Sequence, residues 1–228
     1  MMQNEFLQNR LSRWEQVWGW RYFLFQIVFL PSLLSLLPAS LPRSTVNFLF
    51  FSINFIAATV IFRKFLQKLL AISGMQFLKI LGIGAAFFAL YQLSSVAIGW
   101  LFSLLKPDFY NTNDQGVIQM AGENYTLMLL GTVVLVPITE EVFHRGLVFR
   151  GLYDRSPIAA WLVSIALFSL VHIVNYIGSC DALTLVLCFL QYIPAGLCLA
   201  AAYRLSGSLI CPILIHAAVN AASMFALR

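Results

Sequence analysis

Residues Glu140-Glu141-Val142-Phe143-His144-Arg145 place two carboxylates, an imidazole and a guanidinium within six positions, directly after the mostly apolar run Leu127 to Ile138. On a helix, Glu141 and Arg145 stand four apart with the acid N-terminal, the better order for an ion pair. Glu140 and His144 are also four apart, on a neighbouring face. One pair can be structural while the other stays available for proton transfer. Two further polar islands interrupt apolar runs. In Phe168-Ser169-Leu170-Val171-His172 the aromatic ring and the imidazole share a face, with Ser169 three residues before His172 and Asn175 three after it. In His216-Ala217-Ala218-Val219-Asn220, His216 and Asn220 stack one turn apart among small residues that permit close helix packing.

Each island alone has a bland explanation. The first fits a helix end at a membrane surface, where charges are solvated and arginine snorkels. The second fits a core histidine bonded to a neighbour, and the third fits interhelical hydrogen bonding. Burying the three separately costs on the order of a few kcal/mol each, whereas bringing them together lets them satisfy one another and water. A glutamate, two histidines and an asparagine are then a workable hydrolytic set. The glutamate takes a proton from water, a histidine orients that water, and a His–Asn pair donates to a developing oxyanion. The HExxH arrangement and the GxSxG elbow are both absent, and no cysteine lies three or four residues from a histidine. Glu140, His172 and His216 are nevertheless a donor set able to hold Zn²⁺ with an open position. A metal-free route with glutamate as base and a zinc-assisted route both stay open.

The elements that must position these residues are apolar helices. The chain is 61% hydrophobic and 10% charged, against roughly 45–50% and 25% for ordinary soluble domains. That composition indicates an all-α, polytopic membrane bundle, since a bilayer leaves backbone groups no water to bond. Seven spans are expected, near 22–42, 45–62 (reaching toward Leu70), 80–105, 125–143, 158–178, 183–203 and 208–227. Pro31, Pro137 and Pro194 fall inside three of them as kinks or local breaks. Residues 1–21 are polar or amphipathic and are expected along the membrane face. The lysines and arginines concentrate in alternate connections, which puts the N-terminus on the cytoplasmic side and, with seven spans, the C-terminus outside. The polar connection Lys106 to Asn124 then faces outward. The Glu140 stretch becomes the inner end of the fourth span, so a site there would open to the cytoplasm. The turn Gly178 to Asp181 makes the fifth and sixth spans antiparallel neighbours. The basic residues lie between spans, which argues for topology rather than nucleic acid. Cys180, Cys188, Cys198 and Cys211 form no CxxC pair, and three lie in apolar runs, so no disulfide framework or thiolate metal site is expected. Residues 1–124, with about three spans, lack polar islands of this kind. Residues 125–228, with about four, hold all three.

In these motifs the chain resembles the CPBP family of intramembrane proteases, which includes the CAAX prenyl endopeptidases and their bacterial relatives. The family pattern EExxxR, FxxxH, HxxxN is met in order by Glu140 to Arg145, Phe168 to His172 and His216 to Asn220. The resemblance covers residues 125–228. It implies a helical bundle with its site in a membrane cavity and endopeptidase activity on a peptide or protein substrate, lipidated or membrane-anchored. The setting it implies is a multi-pass protein of a bacterial plasma membrane. It further implies that Glu140 activates water with His172, that His216 and Asn220 form the oxyanion site, that Glu141 and Arg145 support them, and that Phe168 shapes the cavity. His144 is outside the fixed pattern. Family members also serve as scaffolds or immunity proteins, so a non-catalytic membrane binding role is the alternative. A transporter using Glu140 and the histidines as a proton path is a third reading, without the internal repeat such folds carry.

Overall fold

The computed structural model describes residues 5–69 and 73–227. Among them every regular element is a helix. In chain order these are α1 (Glu5–Gln8), α2 (Arg13–Val28), α3 (Leu30–Leu34), α4 (Arg43–Ile61), α5 (Arg63–Leu69), α6 (Gly74–Leu105), α7 (Thr112–Glu123), α8 (Tyr125–Tyr153), α9 (Pro157–Ile173), α10 (Ala182–Ser206) and α11 (Ile210–Phe225). Side-chain caps start most of the long ones. Ser73, Asn124, Ser156 and Asp181 accept from backbone N–H groups in the first turns of α6, α8, α9 and α10. Gly207, at φ 74°, ends α10 in the left-handed conformation that glycine adopts without strain. A Cβ there would also meet Glu5 Cβ at 2.8 Å.

Five helices are long and apolar enough to cross a membrane: α4, α6, α8, α9 extended to Tyr176, and α10. The expected first and seventh spans fall short of that length. Residues 22–42 do not form one helix, because α2 begins earlier and stops at Val28, and Pro31 removes an N–H just beyond the break at Phe29. The chain then turns through a segment carrying Pro38 and Pro42. The seventh is the 16-residue helix α11, which starts only after the Gly207 turn. The extension of the second span to Leu70, and Arg228 at the far terminus, lie outside the described residues. Lipid-facing character is plain on α6, where Leu93, Val96 and Trp100 are exposed. The expected antiparallel pair is present, with α9 and α10 packed against each other across the turn at Gly178.

Two sequence expectations are corrected. The fourth span does not end at residue 143. Helix α8 continues to Tyr153, which places Glu140 near the middle of a 29-residue helix rather than at its inner end. Arg145 and Arg150 are buried inside the bundle, so neither is a free loop charge that reports topology. Of residues 1–21, residues 1–4 lie outside the described residues, and residues 5–21 do not simply lie on the membrane face. Phe6 is fully buried, with its ring centroid 4.8 Å from Tyr153, 5.1 Å from Tyr203 and 5.7 Å from Phe149. The Phe6 and Leu7 carbonyls accept from Arg150 Nε at 2.9 Å and Nη2 at 2.6 Å. Glu15 is buried as well; its Oε2 accepts from the Ser12 N–H and its Oε1 from the Phe65 N–H at the start of α5.

Around these contacts lies an aromatic core formed by Phe23, Phe62, Phe65, Phe143 and Tyr203. It clamps the C-terminal half of α8 against α2, α4 and α5. Phe6→Ala should therefore destabilise the protein by about 3 kcal/mol through the cavity it leaves. The check is thermal unfolding of purified protein in detergent, and an unchanged midpoint would mean that the N-terminal segment is not part of the core.

Candidate active site

Helix α8 carries the first polar island, and its backbone is wound unusually. Gly131–Leu135 and Val142–Phe149 are π-type stretches, and the acids sit in the α-helical turn Val136–Glu141 between them. Proline explains the first stretch. In an unbroken α-helix the Pro137 ring would clash with the Val133 carbonyl and offer it no N–H. Wider winding relieves this, and the Val136 N–H bonds to the Gly131 carbonyl, five residues back. The next partner in that pattern would be Pro137, which has no N–H, so the Thr132 carbonyl is left over. Asn220 Nδ2 of α11 donates to it at 2.8 Å. A proline on one helix thus creates the acceptor that fixes an asparagine on another.

The two adjacent acids have opposite surroundings. Glu141 and Arg145 are both wholly buried, with Arg145 Nε 3.1 Å from Glu141 Oε2. That contact is an ion pair without hydrogen-bond alignment; the aligned bond runs from Arg145 Nη1 to Glu141 Oε1 at 3.3 Å. Arg145 Nη2 also donates to the Gly196 carbonyl at 3.2 Å, and its guanidinium lies 4.4 Å from the centre of the Phe168 ring. Glu141 Oε1 meets His216 Nδ1 at 3.0 Å. Glu141, Arg145 and His216 therefore form one buried network across α8, α10 and α11.

Glu140 instead lines a cavity of about 570 Å³ together with His172, His216 and Asn220. Its Oε2 is buried and has no hydrogen-bond partner, and it lies 3.8 Å from His172 Nε2. His172 Nδ1 bonds the Phe168 carbonyl at 2.7 Å. A carbonyl only accepts, so Nδ1 carries a proton; in the neutral tautomer this leaves the Nε2 lone pair facing the Glu140 carboxylate. Two acceptors at 3.8 Å leave a gap that one water can fill by donating to both.

Phe168 is central to the cluster. Its ring centroid stands 4.8 Å from His172, 5.3 Å from His144 and 6.0 Å from His216, and Arg145 covers one face. All seven residues singled out in the three motifs converge here. His144, buried and bonded through Nδ1 to the Glu140 carbonyl at 2.9 Å, joins them. Ser169 is buried, and its hydroxyl has no partner. Among the described residues, no group of three or more His, Cys, Asp or Glu side chains converges as a metal ion would require.

One wall of the cavity was missed by reading the islands alone. Tyr192 of α10 stacks on His172, with centroids 4.2 Å apart. Its hydroxyl lies 3.3 Å from Asp114 Oδ1 and accepts from Asn113 Nδ2 at 3.0 Å. Asn111, the cap of α7, donates to Gln191 Oε1 at 3.0 Å. The connection expected as an outer loop therefore supplies a polar roof. The signals were the Asn111-Thr112-Asn113-Asp114 run and the Gln191-Tyr192 pair inside an apolar span. Lining residues come from the α7 end of the bundle: the first half of α4, the second half of α6 and the C-terminal half of α11. This is the end opposite to the opening expected from the sequence. Outside the spans, desolvation by the surrounding protein raises the Asp114 carboxyl above its ordinary value, although Asp114 is exposed where it lines the cavity. The hydrogen bond from Lys106 holds Asp181 well below the usual carboxylate range, and the Ser44 backbone N–H lowers Glu123.

The fold and site define a polytopic, all-helical membrane protein with a buried polar centre. Residues 122–222 match the family model described as type II CAAX prenyl endopeptidase Rce1-like, and all three motifs lie inside that stretch. No curated protein and no solved structure gives a match.

Removing one member of the buried ion pair leaves the other uncompensated. Glu141→Gln or Arg145→Met should each destabilise the protein by about 3–5 kcal/mol. The double variant should lose less than the sum of the two. Thermal unfolding of the four proteins in detergent forms the cycle, and additive losses would mean that the pair is not coupled.

Proposed function

We propose that this chain is an intramembrane endopeptidase that hydrolyses a peptide bond of a membrane-associated substrate with a water activated by Glu140. The observation that carries this reading is the unpartnered Glu140 Oε2, 3.8 Å from His172 Nε2 at the wall of a cavity. In the proposed cycle, water lies between these two acceptors. Glu140 takes one of its protons as the oxygen attacks the substrate carbonyl carbon, and it later returns that proton to the departing amine. His172 orients the water, and its own ring is fixed by the Phe168 carbonyl and by stacking on Tyr192. The oxyanion is received by His216 and Asn220. Glu141 Oε1 fixes the His216 ring through Nδ1, which leaves Nε2 as the ring atom that donates when it carries a proton, and Asn220 has a second N–H beyond the one given to Thr132. The match to an endopeptidase family over residues 122–222 supports the same reaction class.

We further propose that the N-terminal end faces the cytoplasm, since Arg10 precedes α2, Arg13 and Arg21 lie in α2, and Arg63, Lys64 and Lys68 lie in the short helix α5. The cavity then lies in the outer half of the bilayer. A membrane-impermeant maleimide should label Asp108→Cys in intact cells, and labelling only after lysis would reverse the orientation.

Glu140→Gln and His172→Ala should each reduce cleavage by about 10²–10⁴-fold. Asn220→Ala should reduce it by up to about 10²–10³-fold. Substrates are found by comparing membrane and secreted proteins of cells bearing wild-type or Glu140→Gln protein and recording what accumulates uncut. Retained cleavage in both the Glu140 and His172 variants would remove the protease reading; a change in stability alone would favour the non-catalytic one. Cleavage by the metal-free route should survive a chelator, and loss that zinc restores would replace that route with the zinc-assisted one.

A further inference from the structure

The charge of the cavity carries information about what enters it. The chain has 14 lysines and arginines against 9 acids. Yet, histidines aside, the only acidic or basic side chains lining the cavity, among the described residues, are Glu140 and Asp114. The one guanidinium nearby, Arg145, is wholly buried behind Phe168 and paired with Glu141. Three other acids are matched by arginine or lysine: Asp154 by Arg10 and Arg150, Asp181 by Lys106, Glu141 by Arg145. None of the ion pairs among the described residues includes Asp114, whose carboxylate accepts from the Tyr192 hydroxyl at 3.3 Å and feels the His172 ring behind it. At the cavity wall an unmatched carboxylate raises the local potential for cations, because the apolar bundle beside it screens it poorly.

We propose that Asp114 is a specificity residue, and that the cavity takes an internal peptide segment carrying a lysine or arginine beside Asp114, rather than a chain end carrying a free carboxylate. This rests on the protease reading of the same site. Asp114 touches Tyr192, and Tyr192 stacks on His172, so the cation sits one tyrosine away from the activated water. At about 3.3–3.6 Å per extended residue, that puts the basic residue within about three positions of the scissile bond. The amides of Asn111, Asn113 and Gln191 on the same wall suit the backbone of an extended segment, which offers alternating donors and acceptors. A free carboxylate within the same distance meets two like charges and no lysine or arginine.

The test uses the full chain in detergent and fluorescent decapeptides with apolar flanks, capped ends and one central lysine, glutamate or norleucine. Binding is read by anisotropy on Glu140→Gln protein, so it does not depend on turnover. The lysine peptide should bind at least about tenfold tighter than the glutamate peptide, with norleucine between them. Asp114→Asn, which preserves shape and an acceptor for Tyr192, should abolish the difference, and Asp114→Lys should invert it. Uncapping the C-terminus three residues from the centre should weaken binding. Equal or undetectable binding of the three peptides, a lysine preference that survives Asp114→Asn, or tighter binding on uncapping overturns the proposal. Cleavage of the lysine peptide by wild-type protein is followed in parallel. A binding preference without cleavage would count against the protease reading and leave the cation preference standing.

Discussion

Arg145 holds a full positive charge where a helix bundle is wholly closed to water, and much of the site is arranged around keeping that charge matched. Desolvating a guanidinium is tolerable only if its donors and its charge find partners. Glu141 supplies the charge, Gly196 a carbonyl and Phe168 the negative face of a ring. Each comes from a different part of the chain, so the match holds α8, α9 and α10 in register. Phe168 cannot move without exposing Arg145, and Phe168 is also the ring against which three imidazoles rest. The same Glu141 reaches His216, which ties α11 to the group.

That arrangement lets the neighbouring acid remain unmatched. Glu140 precedes Glu141 by one residue, and on a helix this turns it about 100° away, toward the cavity. It has a histidine at 3.8 Å and no arginine. Chemistry needs a carboxylate with a free lone pair, whereas an apolar bundle penalises one. The bundle resolves the conflict by putting the paired acid inside and the unpaired acid at the edge of a space large enough for water. The winding of α8 contributes to the same end. Pro137 forces a wider turn, the wider turn strands the Thr132 carbonyl, and that carbonyl orients Asn220. Irregular backbone inside a membrane protein is tolerated where it borders a cavity, and here it does.

Much of this was legible beforehand. The three islands named seven residues, and all seven lie together. The pairing of Glu141 with Arg145 follows from their spacing of four. The count of spans was less secure, because hydropathy reports which residues avoid water and not where a helix breaks. Residues 22–42 carry no charged side chain and are mostly apolar, yet prolines and the early start of α2 divide them. The buried position of Arg150 was hidden for a related reason. Its partners are backbone carbonyls of Phe6 and Leu7, and any residue could have supplied those.

By itself, the sequence determined the class of structure and the membership of the site. An apolar chain in a bilayer must close its hydrogen bonds within helices, and polar groups stranded on those helices must find one another. Only the tertiary structure decided which acid is free, which end of the bundle the cavity occupies, and that Asp114 of α7 and Tyr192 of α10 form its wall. Those outcomes depend on how helices distant in sequence rotate and slide against each other. Local spacing does not encode that rotation; the matching of one buried charge to partners on three helices does.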